Sequence, residues 1–467
     1  MMRRIGRLLG SADATKYLWL LNIGMAVASF MAFRHQYGGD LWSYTALADG
    51  ILHGDYSMWW WLGEDIPDTF RNPGYPLFLA VFRVFTTSLL PVQVAQFLLY
   101  FLSLVIIHRL IAKLGGSTLA SNLFLLLVLP SLQLPYMVTT IFPEILTMFL
   151  ISAFIWVDWN WSTGWKRAIA LGLLVGLISQ CRSTVMLFPL AWLIGSRLWA
   201  RRKPGWGEAG VFILLFVATI MPYSLWNLKH HGVLKPVPIE GGGGVLHMGW
   251  WAGKIPGHTE HWYWGNFAIH ELYQATPRDS IAGNIAAYEA EWAAIDSSLR
   301  PLLTATDSAM LRAQGPAMFR TYNTAYTSAR EKALVAATLR HVVDEPWYTI
   351  KWKAYSAIRL WVTGIDTEAY RRAGLTGRLT MLYPFLSSLV IFLLFITLVP
   401  WAMWTYRELP RRYLPLLLWV IYFGMVNIPF VIQARYTVPV RLLMLALIAL
   451  SMERLVMSCR KRSVEGG

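Results

Sequence analysis

Carboxylates are scarce in this chain, and they crowd into one place. Asp40, Asp49, Asp55, Glu64, Asp65 and Asp68 all fall between Gly38 and Pro76, with a run of tryptophans among them. Only 14% of the 467 residues are charged and 56% are hydrophobic, so this crowding carries information. Asp40 lies a few residues beyond the first strongly apolar run. Arg71 precedes Pro-Gly-Tyr75-Pro, and Glu144 opens an apolar run in TTIFPEIL. Arg182 sits in the turn QCRST, Asn227 opens a long polar stretch with Lys229, His230 and His231, and Arg435 and Tyr436 belong to QARYTVP before the last apolar run. Any one of these side chains reads equally well as snorkelling from a helix end. Together on one face of a membrane, where ionisable groups are expensive, they mark a functional site.

The residue types define a chemistry. Arginines grip a phosphate through paired N–H donors. A carboxylate deprotonates a hydroxyl as it attacks an anomeric carbon. Tryptophan and tyrosine stack on a sugar face and anchor a loop at an interface. The set suits a sugar carried on a lipid phosphate, with the tail in the bilayer and the phosphate at its surface. Asp40, nearest the first apolar run, is the expected base. Glu144 is expected to pair with Asp40, to raise its pKa as a like charge or to bind the acceptor. Arg71, Tyr75, Arg182, Asn227, Arg435 and Tyr436 are the expected substrate ligands.

Helices must position these residues. Mean hydropathy is +0.44, with 24 Trp and a net charge of +15. The basic residues sit in short clusters between apolar runs, the pattern of membrane topology and not of nucleic-acid binding. About 20 apolar residues make a span. Spans are expected at 17–33, 92–107, 120–136, 143–157, 168–179, 184–199, 211–226, 379–404, 414–430 and 438–450. An all-α integral membrane protein of about ten transmembrane helices follows. Both termini lie on the basic, cytoplasmic side, and the first run stays uncleaved as a signal anchor. Residues 1–226 form a transmembrane module whose first outer loop is 34–91, residues 227–378 a large extracytoplasmic insertion, and residues 379–467 the closing helices. Tyr75 to Phe85, interrupted by Arg83, reads as interfacial or re-entrant. In the insertion, Ile281, Ile285, Tyr288, Trp292, Ile295 and Leu299 repeat at helical spacing, as do Phe319, Tyr322 and Tyr326. Trp347 to Val362 reads as a helix lying on the membrane. Cys181 and Cys459 fall on opposite sides and are not expected to pair.

The stretch GGDLWSYTALADGILHGDY with RNPGYPLFLA resembles the first periplasmic loop of the GT-C superfamily of glycosyltransferases that use lipid-linked sugars. It is most similar to the branch of protein O-mannosyltransferases and lipid A aminoarabinose transferases. The matching positions are Asp40, Tyr44, Ala48, Gly54, Arg71, Pro73 and Pro76. Pro143-Glu144, Arg182, the stretch from Pro222 to Gly244, and Arg435, Tyr436 and Pro439 match later motifs in order, with Trp226 where the family usually has Arg. The resemblance implies a GT-C-like fold, Asp40 as catalytic carboxylate, inversion at the anomeric carbon, and a polyprenyl-phosphate sugar as donor. The acceptor is left open among lipid, polysaccharide and protein, and a bacterial inner membrane is the expected location.

No metal site is assigned from the residues. The resemblance leaves room for a divalent cation near Asp40 and Glu144. His230, His231, His247, His258, His261 and His270 lack ligand spacing beyond a loose His258-x-Glu260-His261 and read as solvated or packed among aromatics. Gly241 to Gly244 reads as a hinge. Asp366 and Glu368 read as solvated. Two other functions stay in view. A flippase for a lipid-linked saccharide would show internal repeats and mid-membrane charges, and neither is evident. A polymerase or ligase using diphosphate-linked donors would lean on Arg and His instead of an acidic first loop.

Overall fold

The computed structural model describes residues 9–62, 66–198, 203–255, 280–305, 307, 323–364 and 367–465. Glu64, Asp65, His258, Glu260, His261, His270, Phe319, Tyr322 and Asp366 lie outside them. Among the described residues the chain is helical and contains no strand. The first half comprises α1 (Ala12–Phe33), α2 (Leu41–Leu52), α3 (Gly74–Arg83), α4 (Leu90–Lys113), α5 (Thr118–Val128), α6 (Gln133–Thr139), α7 (Glu144–Asn160), α8 (Trp165–Cys181), α9 (Phe188–Leu198) and α10 (Trp206–His231). A polar domain follows: α11 (Gly242–Trp251), α12 (Ile281–Leu299), α13 (Thr324–Asp344), α14 (Pro346–Arg359) and α15 (Thr367–Arg372). The chain closes with α16 (Leu375–Thr405), α17 (Leu409–Asn427) and α18 (Val438–Glu465).

Helix occurs in each of the ten apolar segments, and length separates them. Among the described residues, α1, α4, α10, α16 and the segment 434–459 are long and apolar enough to cross a membrane. The pair α5 and α6 adds a sixth if counted as one span, bent by 61°. At 17 residues each, α7 and α8 reach only about 26 Å, short of the ~30 Å hydrocarbon core. α7 runs against α4, α8 and α18, and α8 packs on α7 and α10. The long helices face outward with apolar residues: Tyr17, Leu20 and Leu21 on α1, and Leu379, Leu386 and Val390 on α16, are exposed. This is a helical membrane protein.

Buried amides repair the break before α7. Breaking the helix between α5 and α6, and again before α7, frees carbonyls that a low-dielectric interior cannot leave bare. Gln96 on α4 donates to Val138 O and Thr140 O, both at 2.8 Å, and Gln93 donates to Thr139 O at 2.7 Å and Arg34 O at 2.9 Å. The segment carrying Glu144 is thereby fixed to the end of α1. The interrupting Arg83 of α3 is explained in the same way, because its guanidinium makes two bonds to the Asp49 carboxylate on α2.

The polar domain has a core of its own, built from Trp250, Trp251, Ile255, Tyr288, Trp292 and Leu334. Tyr288 and Trp292 come from the helical repeat expected over Ile281 to Leu299. The four glycines expected to hinge behave differently. Gly241 (φ +103°) precedes α11, Gly242 to Gly244 form its first turn, and the Gly243 N–H donates to the Glu331 carboxylate of α13. An anion from the chain itself occupies that helix N-terminus.

Small residues let α8 and α10 touch. Gly172 and Gly176 lie one turn apart, and a Cβ on Gly172 would stand 2.5 Å from Phe212 O, while one on Gly176 would stand 2.5 Å from Thr219 Cβ. This is a small-xxx-small contact. Gly172→Val should cost about 1–3 kcal/mol by forcing the helices apart. Gly205→Val, at a glycine with nothing within 4 Å, serves as control. Detergent melting curves of the two variants should differ, and equal melting would refute the contact.

Candidate functional site

Asp40 precedes α2 in a loop held by an unusual backbone. Gly38 has φ +85°, a conformation that suits glycine, and it lies against the Phe142 ring. Ile141 N–H donates to Tyr37 O at 2.8 Å, which ties this loop to the entry of α7. Arg71 arrives from the other end of the acidic stretch. The Asp68 carboxylate accepts the N–H groups of Phe70 (3.0 Å) and Arg71 (2.7 Å), and the hydroxyls of Tyr56 and Tyr223 donate to Arg71 O at 2.9 and 3.1 Å. Asn72 donates to Ser179 O at 2.7 Å, which seats the turn on the end of α8 just before Arg182.

The charged side chains then meet. Asp40 accepts from Arg71 at 2.8 Å on one oxygen and from Arg435 at 3.0 Å on the other. Glu144, buried at the start of α7, accepts from Arg182 at 3.3 Å, and a nitrogen of Arg435 stands 3.9 Å from the same oxygen. The two carboxylates are thus bridged by Arg435. Aromatic faces support the guanidiniums: Phe142 lies 4.1 Å from Arg435, Tyr436 5.0 Å from Arg182, and Tyr44 4.6 Å from Arg71. Three guanidiniums against two carboxylates leave one net positive charge, held by residues from five separate parts of the chain.

Electrostatics differ from the expectation that Glu144 raises Asp40. Burial alone would raise the Asp40 carboxyl, but Arg71 and then Arg435 outweigh it and hold it well below the usual carboxylate range. Tyr44, whose phenol is 3.5 Å from Arg71, is pushed up to about 12 by burial and stays neutral.

Two of the expected ligands stand apart from the cluster. Tyr75 is fully buried, donates to Gln96 Oε1 at 2.8 Å and meets Tyr44 edge to face at 5.0 Å, so it forms the floor beneath that tyrosine. Asn227 is also fully buried, and its amide donates to Lys235 O (2.6 Å) and Val237 O (3.3 Å) where the chain leaves α10. Both serve packing. Sequence reasoning passed over Ser43, Phe142 and Gln433. Ser43 accepts from Arg71 at 3.2 Å, and Gln433 accepts from Arg435 Nε. Each is within three positions of a residue chosen for its charge, but neither a serine, a phenylalanine nor a glutamine advertises a site by type. Both Asp40 oxygens are taken by guanidiniums, whereas Glu144 Oε2 has no hydrogen-bond partner among the described residues.

No family model, no curated protein and no solved structure matches the chain.

Because the folded Asp40 carboxyl is depressed, its pairing stabilises the fold at every pH above the ordinary carboxylate range. That stability is lost only as pH falls through the folded value. Difference infrared spectra of wild type against Asp40→Asn should show no protonated Asp40 down to about pH 4. In Arg71→Gln the protonated band should appear at a higher pH than in wild type. An identical titration in both would show that Arg71 does not set the Asp40 charge.

Proposed function

We propose that this protein is a membrane glycosyltransferase of the GT-C type. In this reading it moves a sugar from a polyprenyl-phosphate donor to an acceptor hydroxyl on the extracytoplasmic side of a bacterial inner membrane. The supporting observation is the convergence of Arg71, Arg182 and Arg435 on the two carboxylates Asp40 and Glu144 at one end of a helical membrane bundle. Both termini lie in the cytoplasm, and the shorter helices α7, α8, α9 and α17 count with the long ones toward about ten membrane passes.

The donor phosphate competes with Asp40 for the guanidiniums. As the phosphate takes Arg435 and Arg71, Asp40 loses its counter-charges and its basicity rises toward that of a buried carboxylate. The base is therefore released by the substrate it serves. Asp40 accepts the proton of the acceptor hydroxyl, whose oxygen bonds to the anomeric carbon from the face opposite the phosphate. The carbon–oxygen bond to phosphate breaks, the electron pair leaves with the polyprenyl phosphate, and the arginines hold the charge that develops there. Configuration inverts. Glu144 keeps Arg182 and Arg435 aligned or contacts the acceptor.

The test is transfer from a panel of radiolabelled polyprenyl-phosphate sugars by the purified protein in nanodiscs, with a membrane extract as acceptor source. Asp40→Asn should lower kcat by about 100- to 10,000-fold with donor still bound. Arg435→Gln should raise the donor KM by about 10-fold or more, the value of one charged hydrogen bond. A folded Asp40→Asn protein with full activity would sink the assignment. Movement of labelled lipid-saccharide between leaflets without transfer would replace it with a flippase.

A further inference from the structure

A second group of chemistry-bearing side chains lies in the polar domain, apart from the arginines. α11, α12 and α13 contribute one residue each: His247, Glu291 and His341. Nε2 of His247 stands 2.8 Å from Oε2 of Glu291, and Nε2 of His341 stands 2.9 Å from the same oxygen. One ligand atom from each residue lies within 4.8 Å of the other two. Aromatic rings wall the group. Trp250 stacks on His341 at 4.3 Å and Tyr288 on His247 at 5.8 Å, with Trp292 edge to face on His247 at 5.6 Å.

For His247 the sequence suggested a solvated or aromatic-packed ring, yet packing alone leaves its lone pairs in conflict. Trp251 Nε1 is 3.2 Å from His247 Nε2 and 3.1 Å from Glu291 Oε2. His247 is fully buried, and its Nδ1 has no hydrogen-bond partner among the described residues. If Nε2 carries the proton and donates to Glu291, Nδ1 keeps a buried lone pair with no donor among the described residues. If Nδ1 carries the proton, that N–H is buried with no acceptor among them, and the Nε2 lone pair, which Trp251 can reach at 3.2 Å, also faces a carboxylate oxygen at 2.8 Å. A cation between the three removes the conflict: each Nε2 and one carboxylate oxygen become ligands, and Trp251 donates to Glu291.

We propose that His247, Glu291 and His341 bind one divalent transition-metal ion, Zn²⁺ by ligand type, as a clasp joining three helices of the polar domain. Two imidazoles and a carboxylate suit Zn²⁺, whereas Ca²⁺ and Mg²⁺ prefer oxygen ligands. Bonds of ~2.0–2.1 Å in a tetrahedron separate ligand atoms by ~3.3 Å. The two His–Glu gaps need to open from 2.8 and 2.9 Å by about half an ångström to reach that separation, with water in the fourth position. The clasp adds a strong tie to a domain whose own apolar core is small.

The experiment uses the full-length protein in detergent, stripped with EDTA, dialysed, and loaded with Zn²⁺ or Co²⁺ alone. One ion per chain by elemental analysis is expected, with a four-coordinate visible Co²⁺ spectrum bleached by Zn²⁺ and a rise in melting temperature on loading. Glu291→Gln, which retains size and the Trp251 bond, and His341→Ala should each weaken binding by more than about 10-fold while helical circular dichroism is unchanged. His230→Ala, on α10, should bind as wild type. The proposal falls if the folded wild type shows no saturable binding, if binding survives both substitutions, or if it depends on His230. Should both variants unfold, the wild-type Co²⁺ spectrum decides: a hexaaqua-like spectrum overturns the site and a four-coordinate one supports it.

Discussion

The bridge that Arg435 makes between Asp40 and Glu144 is the constraint on which this architecture rests. Arg435 precedes the final helix, Asp40 follows the first, and Glu144 opens one in the middle, so one guanidinium joins segments nearly 400 residues apart in sequence. Leaving any of these charges partly buried without its partners would cost several kcal/mol. The loops that carry them are accordingly held by many backbone ties. Gly38 permits the turn before Asp40, Asp68 folds the turn before Arg71, and Gln93 and Gln96 hold the broken helix before Glu144.

This wiring explains why so many helices are shorter than a membrane is thick. A buried charge cluster at one end of a bundle needs helix ends, and helix ends need capping and polar partners. α7 begins at Glu144, α8 ends at Cys181 beside Arg182, and α18 begins just after Arg435. The short α7 and α8 place their ends at the cluster, as does the long α18, and the other long helices, α1, α4, α10 and α16, present apolar flanks outward.

Much of this was legible in the sequence, for identifiable reasons. Hydropathy locates the helices because burial in lipid or in the bundle demands apolar runs of helical length, and every one of the ten runs is helical. It does not separate a long helix from a short one, since α7 is as apolar as α4 and differs in length and neighbours. Asp40, Arg71, Glu144, Arg182 and Arg435 could be named because charge is rare beside apolar runs, and the structure brings them together with Tyr436, the neighbour of Arg435. Tyr75 and Asn227, uncharged and named for their place beside apolar runs, bond to Gln96 and to the backbone after α10, distinctions that depend on where a side chain turns. His247, Glu291 and His341 were unreadable as a set. Their spacing of 44 and 50 residues reflects three separate helices, and only packing brings them within reach.

Glu240 has a consequence of its own. Its backbone N–H donates to Thr69 O at 2.8 Å, its carboxylate accepts from the Thr69 hydroxyl at 3.0 Å, and its other oxygen holds Arg330 of α13 at 3.0 Å. Arg71 follows Thr69 by two residues. Glu240 therefore ties α13 of the polar domain to the bundle two residues from the guanidinium that grips Asp40, so the packing of α13 and the loop presenting Arg71 share one buried joint.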